Sequence, residues 1–321
     1  MTLDWHKIST YSLLDRPSKV NAADFGRPLT GRETVGEFIA ALPNILGGQE
    51  LREIINTACH AVDSRRLMLL AMGAHVIKVG LAPMLIPLIE RRIIQGIAMN
   101  GAGIIHDFET AFAGKTSEDV SEVLGQGTFG MAAETGQLLN QAIREGARNG
   151  WGLGYAIGRF ITEEQLPFLD KSLVAACYRH QIPLTVHVAL GTDIIHMHPD
   201  CDGAAVGSTS MTDFRTFCEL VAKLDQGIYF NVGSAVILPE VFLKALSLVR
   251  NLGHQVSGLT TVAIDFIRQY RVQENVVKRP TQNGGRGYYL TGQHEILLPL
   301  LIAGILARLE QQQAISHQRK E

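Results

Sequence analysis

From residue 67 onward the chain alternates short apolar, β-rich runs with longer segments of helical periodicity, and this alternation restricts the fold more than any other feature. The strand-like runs cover 67–72, 96–100, 184–190, 227–232 and 257–264. Between and after them, 81–92, 211–224, 240–251 and 294–311 carry apolar residues at helical spacing, as does 49–61 before the first strand. A chain ordered in this way builds βαβ units, so the expectation is an α/β fold: a Rossmann-like, doubly wound, mostly parallel sheet with helices on both faces. Right-handed crossovers then bring the carboxyl ends of the strands to one rim.

Domain organisation follows from the same pattern. Residues 1–58, with an amphipathic helix at 32–42, are expected as an N-terminal extension packed on the core, 59–311 as a single nucleotide-binding α/β domain, and 312–321 as a polar tail. The segment 114–158 is rich in glycine and polar residues. It is expected as a long insertion suited to a lid or a subunit contact, with the stretch from Thr116 to Val120 capping a following helix.

The expected strand ends carry the chemistry. They bring Gly73 and His75, Asn100 with Gly101 and Gly103, Gly191 and Asp193, Gly233 and Ser234, and Asp265 to the rim where open α/β sheets bind ligands. The run Gly101-Ala-Gly-Ile-Ile-His106-Asp107-Phe-Glu109 directly follows a strand, so it reads as a glycine-rich turn whose free N–H groups would favour a phosphate. It is not a full G-x-G-x-x-G. Near the carboxyl end, 288–295 reads as the opening of the last helix, with Thr291 as its N-cap and His294 divided between a capping and a site role.

Composition excludes some classes. With 46% hydrophobic and 19% charged residues the chain has ample material for a core, and a formal charge of −2 without basic clusters argues against nucleic-acid and polyanion partners. Its apolar runs fall well short of the ~20 residues of a membrane span, and the first residues lack the pattern of a secretory signal, so the expectation is a cytoplasmic protein. Cys59, Cys177, Cys201 and Cys218 are scattered and read as reduced thiols.

In element order the chain resembles the deoxyhypusine synthases over roughly 60–305. Met72 through Gly80 to Gly103 and Asp107 is similar to the family's first nucleotide loop, helix, strand and glycine-rich turn. Residues 172–196 with Ile182-Pro183 look like its central strand and substrate turn, Gly233-Ser-Ala-Val236 like its glycine-rich strand end, and 289–303 like its closing helix. The resemblance implies NAD as cofactor, a transferase that oxidises a small substrate before group transfer or elimination, and a homotetramer. It places Lys278, in Asn275-Val-Val-Lys-Arg-Pro280, within a residue or two of the family's imine-forming lysine. Where the family presents acids to a polyamine, this chain has Ile105, His106 and His196, and Pro239-Glu240 stands where its proton-transfer histidine would be. Carboxylates hold ammonium groups far better than neutral imidazole does, which argues against spermidine and leaves a small substrate, with amines among the candidates.

The residues themselves leave two chemistries open. His106 and His196 could share a cleft as proton acceptors beside a substrate oxidised by NAD, with Glu109 and Asp107 orienting them or simply starting a helix in solvent. Alternatively, a His-x-His pair on an extended segment puts both rings on one face. His196 and His198 with His187 and Asp200 would then be metal ligands of a hydrolase or lyase, or histidines hydrogen-bonded around a tight turn. A non-catalytic nucleotide-binding protein is the third reading.

Overall fold

The computed structural model describes residues 2–318. Six strands, β1 (Met68–Met72), β2 (Gly96–Asn100), β3 (Leu184–His187), β4 (Ile228–Val232), β5 (Thr260–Asp265) and β6 (Arg286–Thr291), form one sheet in the order β3-β2-β1-β4-β5-β6. Every neighbouring pair is parallel. This is the strand order of doubly wound dinucleotide-binding sheets.

The helices run α1 (Val35–Ala41) and α2 (Leu46–Asp63) before β1, then α3 (His75–Lys78) and α4 (Ala82–Glu90) between β1 and β2. The β2–β3 connection holds α5 (Gly101–Ala113), α6 (Val120–Val123), α7 (Ala133–Asn149), α8 (Leu153–Glu163) and α9 (Leu173–Arg179). After β3 come α10 (Gly203–Val221), α11 (Ile237–Asn251), α12 (Tyr270–Val272) running into the π-helical turns Gln273–Lys278, and α13 (His294–Gln318).

Strands such as β1, β4 and β5 are buried along their whole length on both faces, which is why they read as apolar runs rather than alternations. Met68, Leu70 and Met72 pack into the layer of α2, α4, α5, α9 and α13, while Leu69 and Ala71 face Phe217, Tyr229 and Phe242 on the other side. Tyr229 lies flat on Phe242 with ring centroids 3.7 Å apart.

Four sequence expectations change. The segment expected as a long glycine-rich insertion at 114–158 contains α6, all of α7 and half of α8, because its glycines serve helix contact: a Cβ on Gly146 would lie 2.8 Å from Ala156 Cβ. Residues 288–291 belong to β6 rather than to a helix start; Tyr288 and Leu290 bury on one face and Tyr289 on the other, so Thr291 ends a strand and caps nothing. The proposed tail from 312 is helical through Gln318, with 319–321 outside the described residues. Finally, only α1 and α2 of the N-terminal extension pack on the core, where Ile39 and Ile55 reach Gly304 of α13. Residues 2–33 bury no side chain, and Trp5 and Leu14 are 71% and 94% exposed.

Two buried carboxyls fasten the long β2–β3 connection. Asp213 of α10 accepts from Gly154 N at 2.9 Å and Val186 N at 2.8 Å, tying the start of α8 to β3, and burial pushes its carboxyl up to about 7. Asp107 accepts from the Ser172 hydroxyl and from Leu173 N at 2.8 Å, capping α9, and burial pushes it up to about 6. Among the described residues no helix is long and apolar enough to cross a membrane.

Candidate active site

The connections leaving β1 and β4 run to opposite sides of the sheet, so a crevice opens at their carboxyl ends. Gly73 and Gly233 follow those strands, and a Cβ on Gly73 would overlap the Gly233 carbonyl. Gly233 has φ 65°, and its own Cβ would lie 2.8 Å from His294 Cε1. Glycine is required here both for conformation and for close approach. Ser234 Oγ accepts from Leu238 N, in the first turn of α11, at 3.2 Å.

Beside the crevice stand three ionisable groups. His294, buried, donates from Nε2 to the Ile264 carbonyl at 3.3 Å and lies 3.9 Å from Asp265 Oδ1; the exposed His75 ring is 5.5 Å away. Burial raises the Asp265 carboxyl and lowers the His294 imidazole, so both are drawn toward their neutral forms. Asn231 Nδ2 donates to Ser234 O at 2.9 Å, while its Oδ1 is buried with no partner in the protein.

At the end of β2 the expected turn is absent, because α5 begins at Gly101 itself. The Asp193 carboxylate accepts from Ala102 N and occupies the space a Gly101 Cβ would fill. The helix start that the sequence reserved for a phosphate is therefore filled by the protein's own anion. Gly103 is a packing residue, its Cβ position 2.8 Å from Met99 Sδ. Asn100, the N-cap residue, leaves Oδ1 buried without a partner.

A cleft of about 860 Å³ opens on the same rim, between α3, α5, α7 and the loop after β3. Phe108, Phe112 and Phe129 give it an apolar wall, and Lys78, His106, Glu109, Thr116, Thr135 and Asp193 line its polar side. Spacing of three residues on α5 brings His106 Nδ1 to 4.0 Å from Glu109 Oε2. Thr116 Oγ1 sits between them, 2.7 Å from His106 Nδ1 and 2.5 Å from Glu109 Oε2, and Thr135 donates to Glu109 Oε1 at 3.2 Å. Burial lowers the His106 pKa, Glu109 opposes this, and Lys78 adds to it.

The other expected site residues lie elsewhere. His196 does not share the cleft: its side chain is 6% exposed, and Nδ1 accepts from Gly191 N and Asp193 N at 3.2 Å each, folding its own loop. Asp107 faces α9 and orients neither histidine. The metal set does not assemble, because Ile194–Met197 forms a 3-10 turn rather than an extended segment and turns His196 and His198 apart. His198 donates to Gly130 O at 2.8 Å, and Asp200 is 3.7 Å from Arg144. His187 is buried in β3, 3.1 Å from Thr185 Oγ1, and pushed down to about 4 by burial. Among the described residues no three His, Cys, Asp or Glu gather to hold a metal ion. Cys201 is half-buried and free, its thiol raised by burial. Lys278 is exposed and paired with Glu274 at 2.7 Å, outside the cleft, without the desolvation that activates an amine.

Lys78, Thr116 and Thr135 were not singled out as site residues from sequence. Thr116 looked like helix-capping material, a role Asp119 performs. No local pattern distinguishes a threonine that will meet a histidine ten residues away.

No protein-family model and no curated protein matches this sequence. In three dimensions the chain is similar to AgrE in its ternary complex with ornithine and NAD+, at 12% identity and TM-score 0.52 over 83% of this chain and 34% of that one. It is also similar to a LOR/SDH-class protein of Methanococcus maripaludis S2, at 16% identity and TM-score 0.50 over 87% of this chain and 71% of that one. A protein assigned as a deoxyhypusine synthase from Entamoeba histolytica superposes with TM-score 0.48 at 11% identity, over 88% of this chain and 96% of that one. The chain spans about a third of the AgrE chain. At these identities the likeness establishes the fold, a Rossmann-like α/β architecture with an all-parallel sheet.

Proposed function

We propose that this chain is a NAD-dependent enzyme of deoxyhypusine synthase-like type, which oxidises a small substrate as the first stage of a group transfer or elimination. One observation carries the reading: the Gly73–Gly233 backbone crevice at the switch point of a 3-2-1-4-5-6 sheet lies on the same rim as a cleft holding a histidine–threonine–glutamate network. The fold it shares with AgrE, which binds NAD+ and ornithine together, supports the same cofactor and a substrate of amino-acid size.

The residues present fit a dinucleotide. Gly73 and Gly233 let the β1 and β4 ends and His294 pack with bare backbone at the rim, and the buried acceptors Asn100 Oδ1 and Asn231 Oδ1 lack the donors that ribose hydroxyls or a carboxamide provide. Gly73, Asn100, Gly233 and Ser234 would border the cofactor, with His75, Asp265 and His294 beside them. Gly101, Gly103, Gly191 and Asp193 would act in support, by shaping α5 and the loop over it. NAD+ supplies a hydride acceptor when bound. His106 receives the substrate's amine or hydroxyl proton, and Glu109 steadies it through Thr116.

Charge in the cleft favours an amine, since Glu109, Glu118, Glu134 and Asp193 line it against Lys78 and Lys115. Three of those carboxylates already hold donors of the protein: Glu109 the two threonines, Glu118 Gly130 N and Asp193 Ala102 N. That leaves little for a polycation and supports a small substrate over spermidine. The exposed apolar residues of 2–33 support a subunit contact, in keeping with the homotetramer that the resemblance implies.

The test is NADH formation, followed by absorbance, from NAD+ with a panel of small amines, amino acids and hydroxy acids. The reading requires turnover with at least one member and its collapse in His106→Gln. No turnover, together with no NAD+-dependent thermal stabilisation, overturns it.

A further inference from the structure

Thr116 has one hydroxyl proton and two neighbours within hydrogen-bond distance, His106 Nδ1 and Glu109 Oε2. A carboxylate can only accept, so the hydroxyl donates to Glu109, and its oxygen is left to accept from the ring. His106 must then carry its proton on Nδ1. The opposite nitrogen, Nε2, makes no hydrogen bond within the described protein and is not among the buried atoms lacking a partner, so it remains available at the cleft.

The second Glu109 oxygen is held by Thr135, which belongs to α7. The hydroxyl pair therefore fixes the carboxylate between two elements, and the carboxylate fixes Thr116. Other charged groups around the ring are Lys78 from α3, which with burial disfavours a second proton, and Lys115, Glu118 and Asp193 farther along the cleft.

We propose that Thr116 is a positioning residue that locks His106 in the Nδ1–H form, so that Nε2 presents its lone pair to the substrate. This rests on the reading of the cleft as a site of NAD+-linked oxidation. In that step a bound nicotinamide dinucleotide would take the hydride of the substrate C–H bond that breaks. The N–H or O–H proton goes to His106 Nε2, and the bond that remains is a C=N or C=O. The imidazolium so formed keeps Nδ1–H on Thr116, whose own proton stays on Glu109. Replacing the hydroxyl removes the acceptor that, among the described residues, selects this form, because the direct Glu109 distance of 4.0 Å is too long for a hydrogen bond.

Nitrogen-15 NMR of the imidazole in the full-length protein, without substrate and at neutral pH, reads the tautomer directly. The expected spectrum shows His106 protonated at Nδ1; Thr116→Val moves population to the Nε2–H form, and Thr116→Ser restores the native pattern. With a turned-over substrate, Thr116→Val should lower kcat by about tenfold or more with KM little changed, and Thr116→Ser should recover it. A wild-type ring protonated at Nε2, or a Thr116→Val ring unchanged from wild type, overturns the proposal. If no substrate is ever oxidised the functional reading fails, while the spectrum alone still decides the role of Thr116.

Discussion

Replacing Asp213 by asparagine should remove a specific part of the pH dependence of stability. The carboxyl is 3% exposed, and burial outweighs its backbone donors Gly154 N and Val186 N to push it from 3.8 up to about 7. An acid whose folded pKa is raised contributes stability below its unfolded pKa and loses that contribution as pH rises through the folded value. Roughly three units at 1.36 kcal/mol each give about 4 kcal/mol lost between about pH 4 and pH 8. Asp107, pushed up to about 6, acts in the same direction. His187, pushed down to about 4, acts in the opposite one, because its neutral form is favoured in the fold and stability falls as pH drops below its unfolded value. The difference between wild type and Asp213→Asn cancels both. Asparagine keeps one acceptor oxygen for the Gly154 and Val186 N–H groups, which both bond to Oδ2. Urea unfolding followed by circular dichroism across this pH range should therefore show the variant near wild type at the acid end and ahead by up to about 4 kcal/mol at the alkaline end. A difference curve that is flat, or that favours wild type as pH rises, refutes the account of Asp213 as a carboxyl held largely neutral by burial.

Gly73→Ala forces a methyl group onto the Gly233 carbonyl, so it should cost about 1–3 kcal/mol in unfolding experiments and abolish any NAD+-dependent rise in Tm; an unaltered NAD+ response would move the cofactor away from this crevice. Lys278→Ala removes an exposed pair one helical turn long and should change stability by no more than about 0.5 kcal/mol and kcat not at all, whereas a dead enzyme would restore the lysine as nucleophile. Extended dialysis against a chelator should leave Tm and NAD+ binding unchanged. Loss of either, reversed by added zinc, would contradict the assignment of His187, His196 and His198 to structural hydrogen bonds.

The alternation of periods carried the fold class, because a parallel sheet covered on both faces needs uninterrupted apolar strands such as 68–72 and 228–232. It failed at β6, whose outer residues Arg286 and Thr291 are exposed and whose paired tyrosines adjoin a helix start. It also failed at 133–158, within the expected insertion, where glycines such as Gly146 let helices touch. At the site, the rim positions Gly73 and Gly233 were legible because strand ends are local features. The partners of each side chain were not, because they depend on long-range packing. Asp193 filling the start of α5, His196 turned into its own loop, and Thr116 joining His106 to Glu109 are contacts that spacing along the chain does not encode. His106 and Glu109 were each legible as candidates beyond a strand end, but their pairing on one face of α5, with Asp107 turned to α9, was not.

The central claim is that the crevice between β1 and β4 holds NAD+. Titration calorimetry of the purified chain with NAD+, wild type beside Gly233→Val, tests it most directly, since the variant combines an unfavourable φ of 65° with a side chain driven into His294. The account predicts saturable binding at one site per chain in wild type, a matching rise in Tm, and loss of both in a variant that still unfolds cooperatively. No binding by wild type, or equal binding by the two proteins, would contradict it.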